Sequence, residues 1–558
     1  MKTLYLIPTL LISIANYAQS VQIDVNSINA TIENTGALFS EQGNSQPGFE
    51  TENGSDVHSI YSTSLWMGGL DGSSNLLGAF GSFGQNTESY TTGPLTITPG
   101  TISTTNEDYG PALLTTSAQQ NFSGVYCVTS AEVVEFVQFS SCDADPSCNT
   151  SVTFPTYTIP NSILNWPAHG DVSNNESSHM APFVDIDGDG VYNPMAGDYP
   201  CIKGDKYAWL VINDRNPNNT LGSSIGVEIH VEVYAFDRVV SNPLNQTVFV
   251  GYNIINRSTQ TLTDFYIGAF TDLDIGCYQD DFIGSIPELN SLFGYNSTNN
   301  DVSCFASNGY GTTPPAQGVT LLNNTLVKSI SFNSGPTTYN SYPIAPTGYY
   351  NYLQGKFRDG SDLFYGGDGH NSSTGVTTTP TDFQYPQTPP TGMANWTEVT
   401  QANQGGNRFA LGCTGPFTFT PGMKIEFDLA FVYARAASGD HLASIPLLEN
   451  NIELVQTFYD DSINECYLPT STPVSVKENT IKNLQVYPNP SSGKVFISVA
   501  NSETNLYEVT DLYGKTVQKG ILNNSKSINI ASLSAGIYMV NLFDENRNVI
   551  GFAKVIRE

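Results

Sequence analysis

Val227-Glu-Ile-His-Val-Glu-Val-Tyr234 is the stretch that decides the fold, because its side chains alternate without interruption. The odd-numbered positions are Val or Ile, whereas the even-numbered positions carry Glu, His, Glu and Tyr. Successive side chains of a β-strand point to opposite faces of the sheet, so this pattern predicts a strand with one apolar and one polar face. We expect that strand to be half-buried, with its aliphatic face against a core.

Similar patterns lie further along the chain. Three more stretches are strand-length and rich in β-branched and aromatic residues: Thr247-Val-Phe-Val-Gly-Tyr-Asn-Ile-Ile255, Asp264-Phe-Tyr-Ile-Gly-Ala-Phe270 and Lys424-Ile-Glu-Phe-Asp-Leu-Ala-Phe-Val-Tyr433. Apolar residues then recur at helical spacing from Leu442 to Phe458, which predicts one amphipathic helix that covers a sandwich core. The predicted fold class is therefore all-β, with antiparallel β-sandwiches in more than one domain.

Five segments are predicted along the 558 residues. Residues 1–18 are typical of a secretory signal peptide, with one positive charge before an apolar run too short to span a bilayer. An N-terminal β region, 19–205, is expected to end in a calcium loop, and a β-sandwich region, 206–468, to end in the helix. A Pro/Ser/Thr-rich linker, 469–482, leads to a small β-sandwich at 483–558. No later apolar run is long enough for a transmembrane helix.

Composition restricts the partners of the protein. Its formal net charge is −31 at pH 7, although only 13% of its residues are charged. A protein with this field repels phosphate, which argues against nucleic acid and anionic lipid as partners. The same field suits divalent cations.

Eight cysteines stand at positions 127, 142, 148, 201, 277, 304, 413 and 466. In a chain that crosses an oxidising compartment, an even number of cysteines favours disulfides. Cys142 and Cys148 are the expected local pair, and the sequence does not choose among the other pairings. The CxxC spacing of a zinc site is absent.

The strongest local motif is Asp185-Ile-Asp-Gly-Asp-Gly-Val-Tyr-Asn193. Its carboxylates point into one loop, and the glycine at the sixth position permits the sharp turn that lets backbone carbonyls join them. The motif resembles the first half of an EF-hand or thrombospondin type 3 calcium loop. That resemblance implies Ca²⁺ as a structural cofactor, with these ligands: Asp185, Asp187, Asp189, Val191 and Asn193. An EF-hand has Glu at its twelfth position, where this chain has Ala196, so Asp198 is expected to substitute. The alternative is a solvated Asp/Gly turn.

A second acidic cluster, made of Asp272, Asp274, Asp280 and Asp281, follows a predicted strand. Three interpretations stay open for it. The carboxylates could bind a second calcium ion, be solvated in a loop, or act as paired acids in glycoside hydrolysis. Hydrolysis would require two carboxyl groups that face each other across a cleft.

Other chemistry-bearing residues are expected to be structural. His169, Asp171 and His179 match no metal-ligand spacing. Ser224 lies in a GxSxG pattern, but a strand is expected to follow it where a nucleophile elbow has a helix. No catalytic residue is therefore assigned.

The C-terminal segment carries the most specific signal. It contains Leu484-Gln-Val-Tyr-Pro-Asn-Pro-Ser-Ser-Gly-Lys494, Tyr507-Glu-Val-Thr-Asp-Leu-Tyr-Gly-Lys515 and Leu533-Ser-Ala-Gly-Ile-Tyr-Met-Val-Asn-Leu-Phe543. That order resembles the type A C-terminal sorting domain of proteins exported by the type IX secretion system of Bacteroidota. The body resembles uncharacterised secreted proteins of the same group, a likeness that implies architecture and no activity.

The resemblance of the tail implies a route and a location. Its partner would be the type IX secretion machinery, and its tail would be removed or exchanged for a lipopolysaccharide anchor. We therefore expect a secreted or cell-surface, calcium-stabilised β protein that acts in binding, in adhesion or as a structural surface component, with a glycan or a surface protein as its ligand. The alternative is a secreted, glycosidase-like hydrolase that uses carboxylates of the 272–281 cluster.

Overall fold

In a computed structural model, the chain forms two compact units, Met1–Pro469 and Thr470–Glu558, which we call the body and the tail. The structure describes these residues: 19–41, 43–81, 89–101, 107–219, 221–239, 242–305, 307–335, 338–389, 392–463, 466, 482–483, 485–498, 505–510, 515–522, 526–543 and 549–558. The predicted signal peptide, 1–18, and residues 469–481 of the predicted linker lie outside them.

The body is built mainly of strands. In chain order they are β1 (Ser20–Ile23), β2 (Ile28–Glu33), β3 (Ala37–Leu38), β4 (Ser40–Glu41), β5 (Gln46–Pro47), β6 (Phe49–Thr51), β7 (His58–Ile60), β8 (Ser62–Leu70), β9 (Leu76–Phe80), β10 (Thr91–Thr92), β11 (Tyr126–Thr129), β12 (Phe183–Val184), β13 (Tyr199–Pro200), β14 (Lys206–Asn213), β15 (Val227–Ala235), β16 (Thr247–Asn256), β17 (Leu262–Asp272), β18 (Asp281–Ile286), β19 (Ser291–Asn296), β20 (Asn300–Asp301), β21 (Gly311–Thr312), β22 (Ala316–Leu321), β23 (Lys328–Asn333), β24 (Arg408–Phe419) and β25 (Lys424–Ala434).

The α-helices of the described residues all belong to the body. They are α1 (Thr116–Asn121), α2 (Ser130–Ala144), α3 (Thr150–Thr153), α4 (Asn161–Leu164), α5 (Pro346–Leu353) and α6 (Ser444–Ser462). Helix α2 begins at a capping box, in which Thr129 and Glu132 each accept a hydrogen bond from the other's backbone N–H.

Two large antiparallel sheets make one sandwich. The first sheet has the order β23-β24-β17-β8-β3-β2-β6-β7, with β1 beside β2 and β9 beside β8. The second has the order β10-β14-β15-β16-β25-β22-β19-β18, with β11 beside β14. The predicted regions 19–205 and 206–468 contribute strands to both sheets, so together they build a single sandwich.

The main core lies between the inner faces of the two sheets. Leu65, Met67 and Ile267 of the first sheet belong to the same apolar cluster as Val231 and Phe431 of the second. Each fully buried side chain of this kind stabilises the fold by about 2 kcal/mol. The predicted all-β sandwich is confirmed.

Irregular chain and helices cover the outer face of each sheet. Helix α6 lies on the second sheet, where Leu448, Ile452 and Val455 are buried, so the predicted amphipathic lid is confirmed. On the first sheet, α5 and the chain around it enclose a cluster of aromatic side chains that includes Trp66 and Phe270. The sandwich therefore has covering layers on both sides.

The prediction of a half-buried strand at Val227–Tyr234 was wrong, because every residue of β15 is buried. Charged partners satisfy its polar face: Glu228 accepts hydrogen bonds from Arg257 at 2.7 Å and lies 3.0 Å from the His230 ring nitrogen, whereas Glu232 pairs with Lys203 at 2.6 Å. Burial opposes ionisation of Glu228, but the charge of Arg257 and the hydrogen bond from His230 outweigh it and lower its pKa to about 2.

Three disulfides cross-link the body: Cys142–Cys148, Cys201–Cys466 and Cys277–Cys304. The first is the predicted local pair, which is confirmed. The second joins residues 265 positions apart in sequence. Cys127 and Cys413 are not disulfide-bonded.

The tail is a small sandwich with a core of its own. Its strands are β26 (Lys482–Asn483), β27 (Gln485–Tyr487), β28 (Lys494–Ser498), β29 (Asn505–Thr510), β30 (Thr516–Leu522), β31 (Ser527–Asn529), β32 (Gly536–Phe543) and β33 (Val549–Arg557). They form one sheet of order β26-β33-β32-β29-β30 and another of order β27-β28-β31. Val495, Val509 and Val540 are buried in its core, as the sequence pattern predicts.

Candidate functional site

The acidic loop spans Asp185–Asp198 between β12 and β13. These two strands pair in antiparallel fashion, so they bring the two ends of the loop together. Asp185 accepts hydrogen bonds from the backbone N–H groups of Gly188 at 2.7 Å and Gly190 at 2.8 Å. The bond from Gly190 lowers the pKa of Asp185. Gly190 has a φ of +78°, which few residues other than glycine tolerate, and this turn aims its N–H at the carboxylate.

Asp198 closes the loop from its other end. It is fully buried and accepts hydrogen bonds from the backbone N–H groups of Ile186 and Asn193, both at 2.8 Å. His169 supports the same loop from outside, because its Nε2 accepts a hydrogen bond from the Tyr192 N–H at 2.8 Å.

Asp185, Asp187 and Asp198 each present one carboxylate oxygen within 4.8 Å of the others. Within the described residues this is the only group of three or more His, Cys, Asp or Glu side chains that meets such a distance. Desolvation and the neighbouring carboxylates raise the pKa of Asp187. An all-oxygen set of this size fits a hard divalent cation such as Ca²⁺.

The other predicted ligands of the loop are placed differently. Asp189 Oδ1 accepts a hydrogen bond from the Val191 N–H at 2.7 Å, and the Val191 side chain is exposed. Asn193 Oδ1 accepts one from the Met195 N–H at 3.1 Å and caps a short 3-10 turn. The convergent group is therefore Asp185, Asp187 and Asp198.

The second acidic cluster lies where β17 ends and β18 begins. Asp272, Asp274 and Asp281 are buried, and Asp280 is half-buried. The Oδ1 atom of each of these four residues is buried and has no hydrogen-bond partner in the part of the chain that the structure describes. Asp281 accepts one hydrogen bond through its other oxygen, from the Ile275 N–H at 3.2 Å. The cluster is rich in acceptors and poor in donors.

Asp272 and Asp274 form a pair whose carboxyl groups lie within hydrogen-bonding range of each other. Burial, followed by the charge of Asp274, raises the pKa of Asp272 well above its usual range. Burial raises the pKa of Asp274 to about 7. Two carboxyl groups this close share a proton, because two buried like charges repel each other strongly.

Asp272 and Asp274 line a pocket of about 320 Å³. Its other lining residues are Ser45, Gln46, Pro47, Tyr61, Tyr278, Phe305, Ser307, Ser334, Asn407 and Phe409. We call this the acidic pocket. Burial, and then the charges of Asp272 and Asp274, raise the pKa of Tyr61. Asn407 Oδ1 is a further buried oxygen that no hydrogen-bond partner among the described residues reaches.

A disulfide positions two aromatic rings of the acidic pocket. Cys277 and Cys304 immediately precede Tyr278 and Phe305, whose ring centroids lie 6.3 Å apart. Phe305 is 87% exposed and has a φ of +46°, which is uncommon for a bulky residue. Such exposed, strained aromatic residues are typical of binding sites.

Sequence reasoning missed Asp301, which holds the chain next to the pocket-lining Tyr278. Asp301 is buried and accepts hydrogen bonds from the N–H groups of Cys277 at 3.2 Å and Tyr310 at 2.6 Å. Burial raises its pKa to about 6. A Cβ at Gly276 would collide with the Asp301 carboxylate, so this approach requires glycine. The cysteines beside Tyr278 and Phe305 were the available signal, but the pairing of Cys277 with Cys304 was not predictable.

The remaining residues considered for chemistry lie away from the two acidic clusters in sequence or in buried positions. The side chains of Trp166, Trp209 and Trp396, which could otherwise stack on a sugar, are buried. Ser224 lies three residues before β15, so a strand follows it where a nucleophile elbow has a helix.

The fold thus defines a β-sandwich protein with a separately packed C-terminal sandwich. Residues 485–557 match the family described as the secretion system C-terminal sorting domain. The chain is therefore a type IX secretion substrate, delivered to the cell surface or beyond it. Among curated proteins, none matches the chain. No helix of the described residues is both long and apolar enough to cross a membrane.

Proposed function

We propose that this secreted protein is a calcium-stabilised binding protein, used in binding or adhesion at the cell surface. The acidic pocket is its ligand site. The observation that carries the proposal is that one pocket is lined by carboxylates whose buried Oδ1 atoms have no hydrogen-bond partner among the described residues, and by the half-buried ring of Tyr278 and the exposed ring of Phe305, which a disulfide positions. A few placed polar groups among aromatic walls are the usual composition of a ligand pocket.

Calcium has a supporting role in this proposal. Asp185, Asp187 and Asp198 would bind the ion, and the carboxylates would otherwise repel one another. Closing the Asp185–Asp198 loop around a cation would couple folding to the calcium outside the cell. Asp272, Asp274, Asp280 and Asp281 stay a prediction as ligands of a second calcium ion.

The ligand of the acidic pocket would be a glycan or a surface protein. The body would stay at the cell surface through a lipopolysaccharide anchor exchanged for the tail, as the likeness of the tail to sorting domains implies. Retention at the surface suits a binding role, since a single pocket gains avidity when many copies are displayed together.

The hydrolase alternative has one observation in its favour, which is that Asp272 and Asp274 converge in the acidic pocket. Their spacing disfavours it. Glycosidases place their two carboxyl groups about 5 Å apart when they retain configuration and about 6.5–9.5 Å apart when they invert it. A pair in hydrogen-bonding range leaves no room for the glycosidic bond between the two carboxyl groups, so binding is the better-supported role.

Arrays of glycans and of surface proteins, probed with the mature protein, test the proposal. We expect Phe305→Ser and Tyr278→Ser each to weaken binding at least about tenfold, since exposed aromatic anchors dominate such sites. Ile344→Ser, which removes an exposed apolar side chain that does not line the acidic pocket, is the matched control.

Two results would contradict the binding role. If array binding survives both aromatic substitutions, the acidic pocket is not the binding site. If the wild type releases reducing ends from a glycan and the Asp274→Asn variant does not, the hydrolase alternative is favoured.

A further inference from the structure

The walls of the acidic pocket offer acceptors for hydrogen bonds. Asp272, Asp274 and Asn407 line this pocket, and each has a buried Oδ1 atom that no hydrogen-bond donor of the described residues reaches. The two aspartates are at least 92% buried, so their oxygens have little access to bulk water. Buried acceptors without donors are costly, so the pocket favours a ligand that brings N–H or O–H groups.

The same pocket lacks positive charge. Within the described residues, none of its lining side chains is Lys, Arg or His. Arg408, the sequence neighbour of Asn407 and Phe409, pairs with Glu398 at 3.1 Å and lines a different pocket. An anionic ligand would therefore meet carboxylate charge with no positive side chain to offset it, whereas a cationic ligand would offset the buried carboxylate charge.

Aromatic side chains supply the remaining walls. Tyr61 and Phe409 belong to the lining, and Tyr278 and Phe305 stand side by side. The faces of aromatic rings attract cations, and aromatic rings grouped around carboxylates are a common arrangement for recognising ammonium groups. A metal ion fits less well, since within the described residues no three carboxylates of this cluster each place an oxygen within 4.8 Å of the others.

We propose that the acidic pocket binds an organic ammonium ion, whose N–H groups donate to Asp272, Asp274 and Asn407 while its alkyl part contacts the aromatic rings. This inference rests on the proposed function, because it names the ligand class of the same pocket.

Calorimetric titration of the full mature protein with n-butylammonium chloride at pH 8 tests the inference. 1-Butanol and sodium butyrate serve as the neutral and the anionic analogues. We expect butylammonium to bind at least about tenfold more tightly than butanol, and butyrate to show no binding. Asp274→Asn should weaken butylammonium binding at least about tenfold, and Phe305→Leu should weaken it severalfold. Glu453→Gln, a change of an exposed carboxylate on α6, should leave it unchanged.

Three outcomes would overturn the assignment. Equal affinities for butanol and butylammonium would show that charge has no role in the pocket. Butylammonium binding that survives Asp274→Asn would place the amine elsewhere. The third outcome is that calcium abolishes butylammonium binding and that Asp274→Asn binds one calcium ion fewer than the wild type. Together these two results would assign the cluster to the predicted second calcium site.

The proposed function and the ammonium inference can fail separately. If array ligands depend on Phe305 but are neutral glycans, only the ammonium inference is wrong. If neither amines nor array ligands depend on Phe305, the proposed function is wrong as well.

Discussion

Two buried carboxylates of this molecule have pKa values shifted in opposite directions. Glu228 is buried but stays ionised, because Arg257 supplies a positive charge at 2.7 Å. Asp274 is buried with no positively charged partner among the described residues, and burial raises its pKa to about 7. The difference shows why Glu228 is structural and why Asp274 is a candidate for ligand binding.

Asp274 should make stability depend on pH. Its pKa in the folded protein is about 7, above the value near 4 of an unfolded chain. The folded state therefore holds this proton more tightly, and the resulting stabilisation is complete below about pH 4 and is lost as the pH rises through about 7. Asp274→Asn cannot ionise, so we expect it to raise the melting temperature by about 2 °C at pH 8 and to leave it nearly unchanged at pH 4.5.

Scanning calorimetry of both proteins at the two pH values, in the presence of a chelator, measures this effect. Glu453→Gln is the control, because that exposed carboxylate on α6 loses little hydration on folding. An equal shift at pH 4.5 and pH 8 would show that the amide acts through packing and not through the titration of Asp274.

At the scale of elements, the structure of the 185–198 loop predicts a smaller set of calcium-binding side chains than its sequence does. Asp187 belongs to the convergent group, whereas Asp189 bonds to the Val191 N–H within the turn. A ligand at 100 times its dissociation constant stabilises the fold by about 2.7 kcal/mol. We expect excess chelator to lower the melting temperature of the wild type by several degrees. Asp187→Asn should abolish that calcium-dependent difference, and Asp189→Asn should largely keep it.

Thermal melts of the three proteins, with and without calcium, measure the difference. The Asp189 variant is the matched control, because Asp189→Asn replaces a carboxylate of the same loop by an amide, as Asp187→Asn does. If Asp189→Asn abolishes the calcium effect and Asp187→Asn keeps it, the ligand set follows the EF-hand likeness and not the convergence of Asp185, Asp187 and Asp198.

Periodic elements were predictable from the sequence, and the layers that cover them were not. Alternation identified the strand at Val227–Tyr234, and helical spacing identified α6. The chain that buries the polar face of that strand has no comparable period, so its burial was not expected. The acidic pocket was not predictable for a similar reason, since it joins Ser45, Tyr61, Asp274, Phe305 and Phe409 from distant parts of the sequence.

At the scale of the whole molecule, the disulfides should differ in what they contribute. A cross-link restricts the unfolded chain more when it closes a longer loop. The sequence separations are 265 for Cys201–Cys466, 27 for Cys277–Cys304 and 6 for Cys142–Cys148. We expect paired Cys→Ser substitutions to lower stability in that order, with a loss of about 4 kcal/mol for the longest loop. Guanidinium unfolding of the three double variants measures the order, and a larger loss for Cys142→Ser with Cys148→Ser would contradict the loop-length argument.

The body and the tail should fold and act as separate units. Each has its own apolar core, and the tail core contains Val509 and Val540, both fully buried. Removing residues 470–558 should therefore leave the melting temperature of the body unchanged within about 1 °C, because no main-core side chain is lost. In a bacterium with type IX secretion, the same truncation should keep the folded body inside the cell envelope. Val540→Asp should do likewise, because a buried charge unfolds the tail core.

Calorimetry of the full chain and the truncated body checks the first expectation, and immunodetection of the protein in the medium and on the cell surface checks the second. Lys519→Gln, at an exposed position of β30, is the matched control and should be exported normally. Export of the Val540→Asp protein at the wild-type level would mean that the secretion machinery reads a short segment and not the folded tail. That result would show that the export signal does not depend on the folded state of the tail.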